Sequence, residues 1–468
     1  MQQICRIFTK TTHLMKLRNY GWLCLMLLPL TAMAGTSTYD LQKPFGFCTL
    51  SSRTTDTPYD ITGGGCFDYP ATDVSSSDII TLTSNGDDMR GDIDKAIRNY
   101  SVIVLDGSNG DFIVSSTISM TSISGKTLIG INNARLCTTW YATQDIIDAL
   151  NEAGVPKMST SKGTGGTLSN GTKVEEQAEF NTRQIIINMT GDTKEAYRKS
   201  GIFLFKSCQN LIIRNLKFVG PGSIDVGGND LVSFEGTKNC WVDHCEFTDG
   251  MDGNFDITQK SDFNTVSWCT FSYTERSYMH QNTNLIGSSD SEATGFLNTT
   301  FAFNHWGDNC LARMPMARVG KIHMLNNYFA SAGCNNCINP RKNSEFLVEG
   351  NYFEKGVKKC YSQSDATAVT WADSNYITEK SVSKPSSKGA TVTVPYAYEV
   401  ADAQAVPTET LAHAGATLFT ESDDPSGIER LTTKNPTEER YYTLSGQRVG
   451  KNTRGIIIAN GKLILRTK

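Results

Sequence analysis

The 468 residues could hold two or three average domains, or one long all-β domain. Only 39% are hydrophobic, and Gly, Ser, Thr and Asn are abundant, which favours many short strands joined by turns over long amphipathic helices. The formal net charge of -4 is small for this length. It leaves no footprint for nucleic acid, so local charge must carry any argument about partners.

At the N-terminus Lys10, Lys16 and Arg18 precede an apolar run over 21–30, and Thr31-Ala32-Met33-Ala34-Gly35 follows. A basic region, a short apolar core and an Ala-x-Ala site describe a secretory signal peptide, with cleavage expected after Ala34. Met15 is an alternative start. The run falls well below the ~20 residues that span a bilayer, so no membrane span is expected. Cys24 lies inside it, which excludes a lipid anchor after the cleavage site. The expected location is outside the cytoplasm: extracellular, cell surface or periplasm. Cys5 and Cys24 fall in the removable segment, leaving eleven of 13 cysteines. In an oxidising compartment Cys48 and Cys66 are expected to pair. Cys334-Asn335-Asn336-Cys337 has CxxC spacing but no second pair at zinc-site spacing. It reads as a disulfide or as free thiols in a loop.

Residues 92–98 predict a short helix that caps an open end, and 102–105 and 126–131 read as early strands. The segment 137–200 interrupts the rhythm with a predicted helix over 144–153 and a Gly/Ser/Thr-rich stretch over 159–171. It reads as a long insertion that shapes a cleft.

From 211 onward a degenerate repeat emerges: 211–218 (LIIRNLKF), 240–247 (CWVDHCEF), 264–271 (NTVSWCTF), 299–306 (TTFAFNHW), 322–329 (IHMLNNYF) and 346–353 (FLVEGNYF). The closing aromatics are 29, 24, 35, 23 and 24 residues apart, a period near 24 with insertions. One such unit cannot bury its inward face alone, whereas stacked units form a continuous core. The pattern predicts a parallel β-helix; a β-sandwich would call for tight hairpins instead. Asn304, Asn327 and Asn351 share one register and predict an Asn ladder. Cys245 and Cys269 occupy the same register as buried thiols. The tail, 426–468, is separate. It carries a hairpin signal at Asn460-Gly461 between 455–459 and 462–465, and is similar to C-terminal sorting tails of secreted proteins.

The polar residues between 230 and 341 carry chemistry. Asp252 and Asp256 are four apart, which on a strand puts both on one face. Asp230 lies about one coil earlier. Three carboxylates suit a hard cation such as Ca²⁺. Arg313-Met314-Pro315-Met316-Ala317-Arg318 adds two arginines, and Arg341 follows about one coil later. Such a basic surface beside a cation site points to a polyanionic, carboxylate-bearing substrate.

Here a resemblance becomes specific. Trp241-Val242-Asp243-His244, Asp252-Gly253-Asn254-Phe255-Asp256, the 261–268 run SDFNTVSW, the 285–289 run LIGSS, the 313–318 run and Asn326-Asn327-Tyr328-Phe329 occur in the order seen in pectate lyases of polysaccharide lyase family 1. The resemblance is strong over 200–355 and weaker over 60–135. It implies a right-handed single-stranded parallel β-helix over 35–425, with long loop insertions and a small C-terminal β module. It further implies Ca²⁺-dependent β-elimination of α-1,4-polygalacturonate; a monomer is expected. Asp230, Asp252 and Asp256 match the calcium ligands, Arg313 the catalytic base, and Arg318 and Arg341 the arginines that bind substrate carboxylates. Asp243 and His244 match a supporting pair near the site. The chain departs from the pattern where the family has a substrate-binding lysine; Glu275-Arg276 stands there, and Arg276 is the nearest match. Gly228 stands where some members carry a further aspartate. Rival functions are a pectin lyase on methylated polymer, a polygalacturonase working through paired carboxylates, and a non-catalytic carbohydrate-binding β-helix.

Overall fold

The computed structural model describes residues 43–157, 165–224, 227–334, 336–362 and 365–419, with four short strands between 441 and 466. The expected signal segment, 1–34, lies outside the described residues.

Each turn of the repeat contributes three short strands and then begins again one layer up. Thus Val232–Glu235, Lys238–Asp243 and Glu246–Thr248 make one coil, and Phe255–Thr258 opens the next. Stacking sorts the strands into parallel sheets of ten, nine and seven strands. The seven-stranded sheet runs from Ile118–Thr121 to Asn339–Pro340. The fold is a parallel β-helix, as the repeat predicts.

Two residues link the ten-stranded sheet to the nine-stranded sheet in these coils, and the first of them is left-handed. Asn215, His244, Trp268, Phe303, Asn326 and Gly350 each sit there at φ between 48° and 65°. A single left-handed residue turns the chain without a loop. Asn and Gly adopt that conformation readily, while His, Trp and Phe need support from their surroundings. Ring stacking supplies it: His244 on Trp268 at 5.9 Å and Trp268 on Phe303 at 4.4 Å.

The repeat's aromatics fall in one register. Phe218, Phe247, Phe271, Trp306, Phe329 and Phe353 pair rung to rung, with successive ring centroids 4.6–5.4 Å apart. Beside them runs the Asn ladder. Asn304 Nδ2 donates to Asn327 Oδ1 at 3.1 Å, Asn327 Nδ2 to Asn351 Oδ1 at 2.9 Å, and Asn351 Nδ2 to Asn375 Oδ1 at 3.0 Å. Asn375, one rung beyond the expected three, extends it. Below it Cys269 and Cys245 stack as buried thiols bonded to backbone carbonyls. The ladder satisfies backbone N–H groups inside the core, where an unpaired one would be costly.

Helix α1 (Arg90–Asn99) buries Ile93, Ala96 and Ile97 at one end of the core. The insertion holds α2 (Gln144–Glu152), α3 (Gln177–Thr190) and α4 (Lys194–Arg198). Its Ile146, Leu150 and Ile186 pack against Met251, Tyr278 and Met279 of the coil loops. Only α2 was legible in the sequence. The β-branched, Asn-containing run of α3 has weak helical patterning and is held by that packing. The expected Gly/Ser/Thr-rich stretch lies partly outside the described residues. Among the described residues, no helix is long and apolar enough to cross a membrane.

The Cys48–Cys66 pairing is corrected. Both are thiols, packed in separate apolar clusters; Cys48 sits with Ile61, Ile212 and Trp241, and Cys66 against Val102, Val104, Ile129 and Ile131. In the tail, Gly455–Ala459 and Lys462–Arg466 pair antiparallel, as the hairpin signal predicts; Asn460 and Gly461 lie outside the described residues.

Candidate active site

The seven-stranded sheet positions the site. Asp256 lies on the strand Phe255–Thr258, in register with Ser233 of the preceding coil. Asp230 sits two residues before Val232–Glu235. Asp252 is not on a strand, which corrects the i, i+4 argument. It lies in the turn before Phe255, where Asn254 Oδ1 accepts from the Gly250 N–H at 3.0 Å. That turn, and not strand periodicity, swings Asp252 toward its partners.

Two carboxylate oxygens converge above Gly253. A Cβ there would lie 2.7 Å from Asp230 Oδ1 and 3.2 Å from Asp256 Oδ1. Only glycine leaves that volume open. Asp230 Oδ1 is sealed from solvent and has no hydrogen-bond partner among the described residues, while Oδ2 accepts from Ser233 Oγ at 3.0 Å. Asp256 Oδ1 accepts from the Leu285 N–H at 2.8 Å. His280 Nε2 lies 3.2 Å from Asp252 Oδ1, and the Asp252 side chain is 48% exposed.

Crowded anions make this cluster electrostatically uncomfortable. Burial, followed by the Asp252 charge, pushes the Asp230 carboxyl up to about 7. Burial, followed by the Asp230 charge, lifts Asp256 well above the carboxylate range. Burial opposes ionisation of Asp252 too, but the His280 hydrogen bond and charge outweigh it and hold Asp252 low. Arg313 lowers all three. Among the described residues no three acidic, imidazole or thiol side chains are gathered tightly enough to hold a metal ion as they stand. The donor set nonetheless fits a hard cation: three carboxylates, one orphaned buried oxygen and an open cradle between two of them.

Arg313 owes its place to a bulge. Asn282 pairs with Ala312, and Ala312 with Asn336; further on, Leu285 pairs with Met316, and Met316 with Asn339. Between those rungs the Arg313 coil holds one residue more than either neighbour. Arg313 itself has φ 59°, and its carbonyl accepts from the Asn284 N–H at 2.8 Å. A bulge re-aims a side chain that regular pairing would alternate away. Arg318 and Arg341 follow on the same rung of successive coils, their N–H groups donating to Ile286 and Ala317 carbonyls at 2.8 Å. Arg318 Nε pairs with Asp290 Oδ1 at 2.8 Å, and Nη1 donates to the Gly287 carbonyl at 2.9 Å. Arg341 Nε is buried with no partner among the described residues.

Two sequence-predicted groups lie elsewhere. Arg276 stacks on Tyr141 at 4.5 Å and lines a cavity with Arg135, Lys217 and Glu246 on the nine-stranded sheet. Asp243 and His244 are buried in the ten-stranded sheet and its corner. There Asp243 accepts from Arg214 Nε at 2.9 Å, Ser267 Oγ at 2.6 Å and His244 Nδ1 at 2.6 Å. Arg214, Gly253 and His280 escaped the sequence reading. Arg214 sits mid-repeat on a strand, and nothing local marks it as the hub of a buried network. Gly253 was visible only as a spacer between two aspartates.

Comparison with known proteins gives these residues a context. A family profile described as pectate lyase matches residues 146–418, more than half of the chain. The probable pectate lyase A of Neosartorya fischeri is 32% identical over 225 residues, covering 46% of this chain and 65% of that protein. The match thus spans just under two thirds of that relative. The probable pectate lyase A of Aspergillus flavus is 32% identical over 257 residues, covering 53% of this chain and 74% of that protein. A solved pectate lyase from Paenibacillus sp. 0602 is 14% identical with a TM-score of 0.52, covering 80% of this chain and 96% of that one. At that identity the likeness speaks for the fold alone.

Proposed function

The chain belongs to the pectate lyase family, and on that premise we propose that it cleaves α-1,4-polygalacturonate by calcium-dependent β-elimination, releasing 4,5-unsaturated oligogalacturonides. The observation that carries the reading is the meeting of Asp230 and Asp256 oxygens over Gly253, within the electrostatic reach of Arg313.

The difficulty of the reaction is acidity. The C5 proton sits beside a uronate carboxylate, and removing it builds carbanion-like charge on that group. Calcium held by Asp230, Asp252 and Asp256 would supply positive charge where that negative charge develops. Arg313, turned out of the sheet by its bulge, takes the C5 proton in its neutral form; the C4=C5 double bond forms as the C4–O bond breaks, and the departing glycosidic oxygen takes a proton from water. Arg318 and Arg341, one coil apart on the same rung, bind carboxylates of neighbouring sugars and fix the chain in register. Asp290, which pairs with Arg318, must yield to substrate; it is exposed, so that exchange is a small penalty. Guanidinium groups hold their proton far above neutral pH, so turnover should rise toward alkaline conditions.

Three carboxylates argue against a pectin lyase, since a neutral ester needs no cation bridge. The arginine motif has no place in a polygalacturonase. The N-terminal segment supports export, with a β-helix domain over 35–425 and a sorting tail over 426–468. The decisive assay follows near-ultraviolet absorbance of unsaturated uronate on polygalacturonate at alkaline pH, first with calcium and then with chelator. Calcium-dependent product that disappears in Arg313→Ala supports the reading. Absence of unsaturated product from both pectate and methylated pectin sinks it and leaves a hydrolase or a binding β-helix.

A further inference from the structure

The thiols of Cys334 and Cys337 are fully buried, with their Sγ atoms 3.4 Å apart. That separation is a contact between unbonded sulfurs, about 1.4 Å longer than a disulfide. What the pair touches gives it meaning. The Cys334 thiol donates to the Leu311 carbonyl at 3.4 Å. Asn336 bridges to Ala312, and the Met314 N–H donates to the Cys337 carbonyl at 2.7 Å. Leu311, Ala312 and Met314 are therefore tied to Cys334, Asn336 and Cys337 in turn, and Arg313 lies between them. Its left-handed backbone is a conformation that long side chains seldom adopt and that persists where neighbours over-determine it.

We propose that Cys334 and Cys337 are an oxidation site, closing into a short-range disulfide that anchors residues 311–314 and thereby positions Arg313. The positioning part rests on the reading of Arg313 as the base; the disulfide itself does not. Bond formation is a thiol–disulfide exchange. One cysteine thiolate attacks an acceptor disulfide, small-molecule or enzyme-borne, and releases one acceptor thiol. The second thiolate then displaces the other acceptor thiol, so two electrons and two protons pass from the protein to the acceptor. Burial pushes the Cys337 thiol well up, and a sealed, protonated thiol is inert. The exchange therefore belongs to folding, before the coil closes, and the finished bond is shielded from reductant.

Rival bonds are available, because Cys310 and Cys360 also lie within electrostatic reach of Cys334. Trypsin separates the cases. Cys334 and Cys337 share the peptide 322–341, whereas Cys310 lies in 277–313 and Cys360 in 360–380. The full chain is refolded with oxidised and reduced glutathione, alkylated in denaturant without reductant, digested and weighed. The expected result is peptide 322–341 unalkylated and two hydrogens lighter. Alkylation of both cysteines, or a cross-link to 277–313 or 360–380, overturns the proposal. The double variant Cys334→Ser/Cys337→Ser is expected to lose roughly tenfold in kcat on polygalacturonate, with KM within about twofold, because a base shifted by a fraction of an ångström turns over slowly while binding persists. An intact intraloop disulfide together with unchanged kcat in the variant overturns the positioning role. A wild-type chain inactive on polygalacturonate sinks the base assignment, and with it the positioning role, while the peptide mass still decides the disulfide.

Discussion

Replacing Gly253 with alanine would place one methyl group where two carboxylate oxygens meet. The methyl carbon would lie 2.7 Å from Asp230 Oδ1 and 3.2 Å from Asp256 Oδ1, with the Asn282 carbonyl at 3.6 Å. The first distance is below any ordinary contact, so the Asp230 side chain must rotate away. Gly253 does not use the left-handed region that glycine alone favours, so the backbone accepts alanine without strain. The substitution therefore acts on the cradle and leaves the coil intact. Calcium's oxygen ligands sit about 2.3–2.6 Å from the ion, so the methyl competes for the same volume. Losing one carboxylate of three is expected to weaken calcium binding on the order of 100-fold, about 2.8 kcal/mol. Titration calorimetry reads the affinity directly, and thermal unfolding in chelator checks that the fold survives. Wild-type calcium affinity in Gly253→Ala would refute the cradle as the cation site.

Other consequences concern charge. Asp230, with an ordinary value of 3.8, is raised by burial and by Asp252 to about 7, and Asp256 is also raised. A carboxyl raised in the folded state contributes stability that is present below about pH 4 and lost as pH climbs through about 7. In chelator the melting temperature should therefore fall across that window, and calcium affinity should rise with pH across it as protons stop competing. A calcium affinity flat from pH 5 to 8 would contradict both shifts. Arg214 is fully buried, bonded to Asp243, Asp68 and the Phe67 carbonyl, and stacked on Trp241. Arg214→Ala takes one charged partner from buried Asp243, leaving it His244 and Ser267, and should cost about 3 kcal/mol in denaturant unfolding. Arg276→Ala should leave kcat within about twofold, since the side chain stacks on Tyr141 and lines a cavity in which Asp230, Asp252 and Asp256 take no part. A loss beyond tenfold would return it to the substrate path.

What the sequence by itself determined is the part of the protein that repeats. Each coil must bury one face, so inward positions recur with the period of the coil. Phe218 through Phe353 and Asn304 through Asn351 were readable for that reason. The carboxylates and arginines were readable because their types and order belong to one chemistry. What only the tertiary structure decided lies at corners and between distant segments. Asp252 reaches its partners through a turn built by Asn254, which no strand periodicity announces. Arg313 is singled out by one extra residue, a count that exists only against the neighbouring coils. Arg214 finds Phe67 and Asp68 from some 147 residues away, and α3 is helical because Met251 and Met279 give Ile186 a surface to cover. Local patterning encodes which face is buried; which groups then meet is settled by the stacking of coils, through contacts that no window of sequence contains.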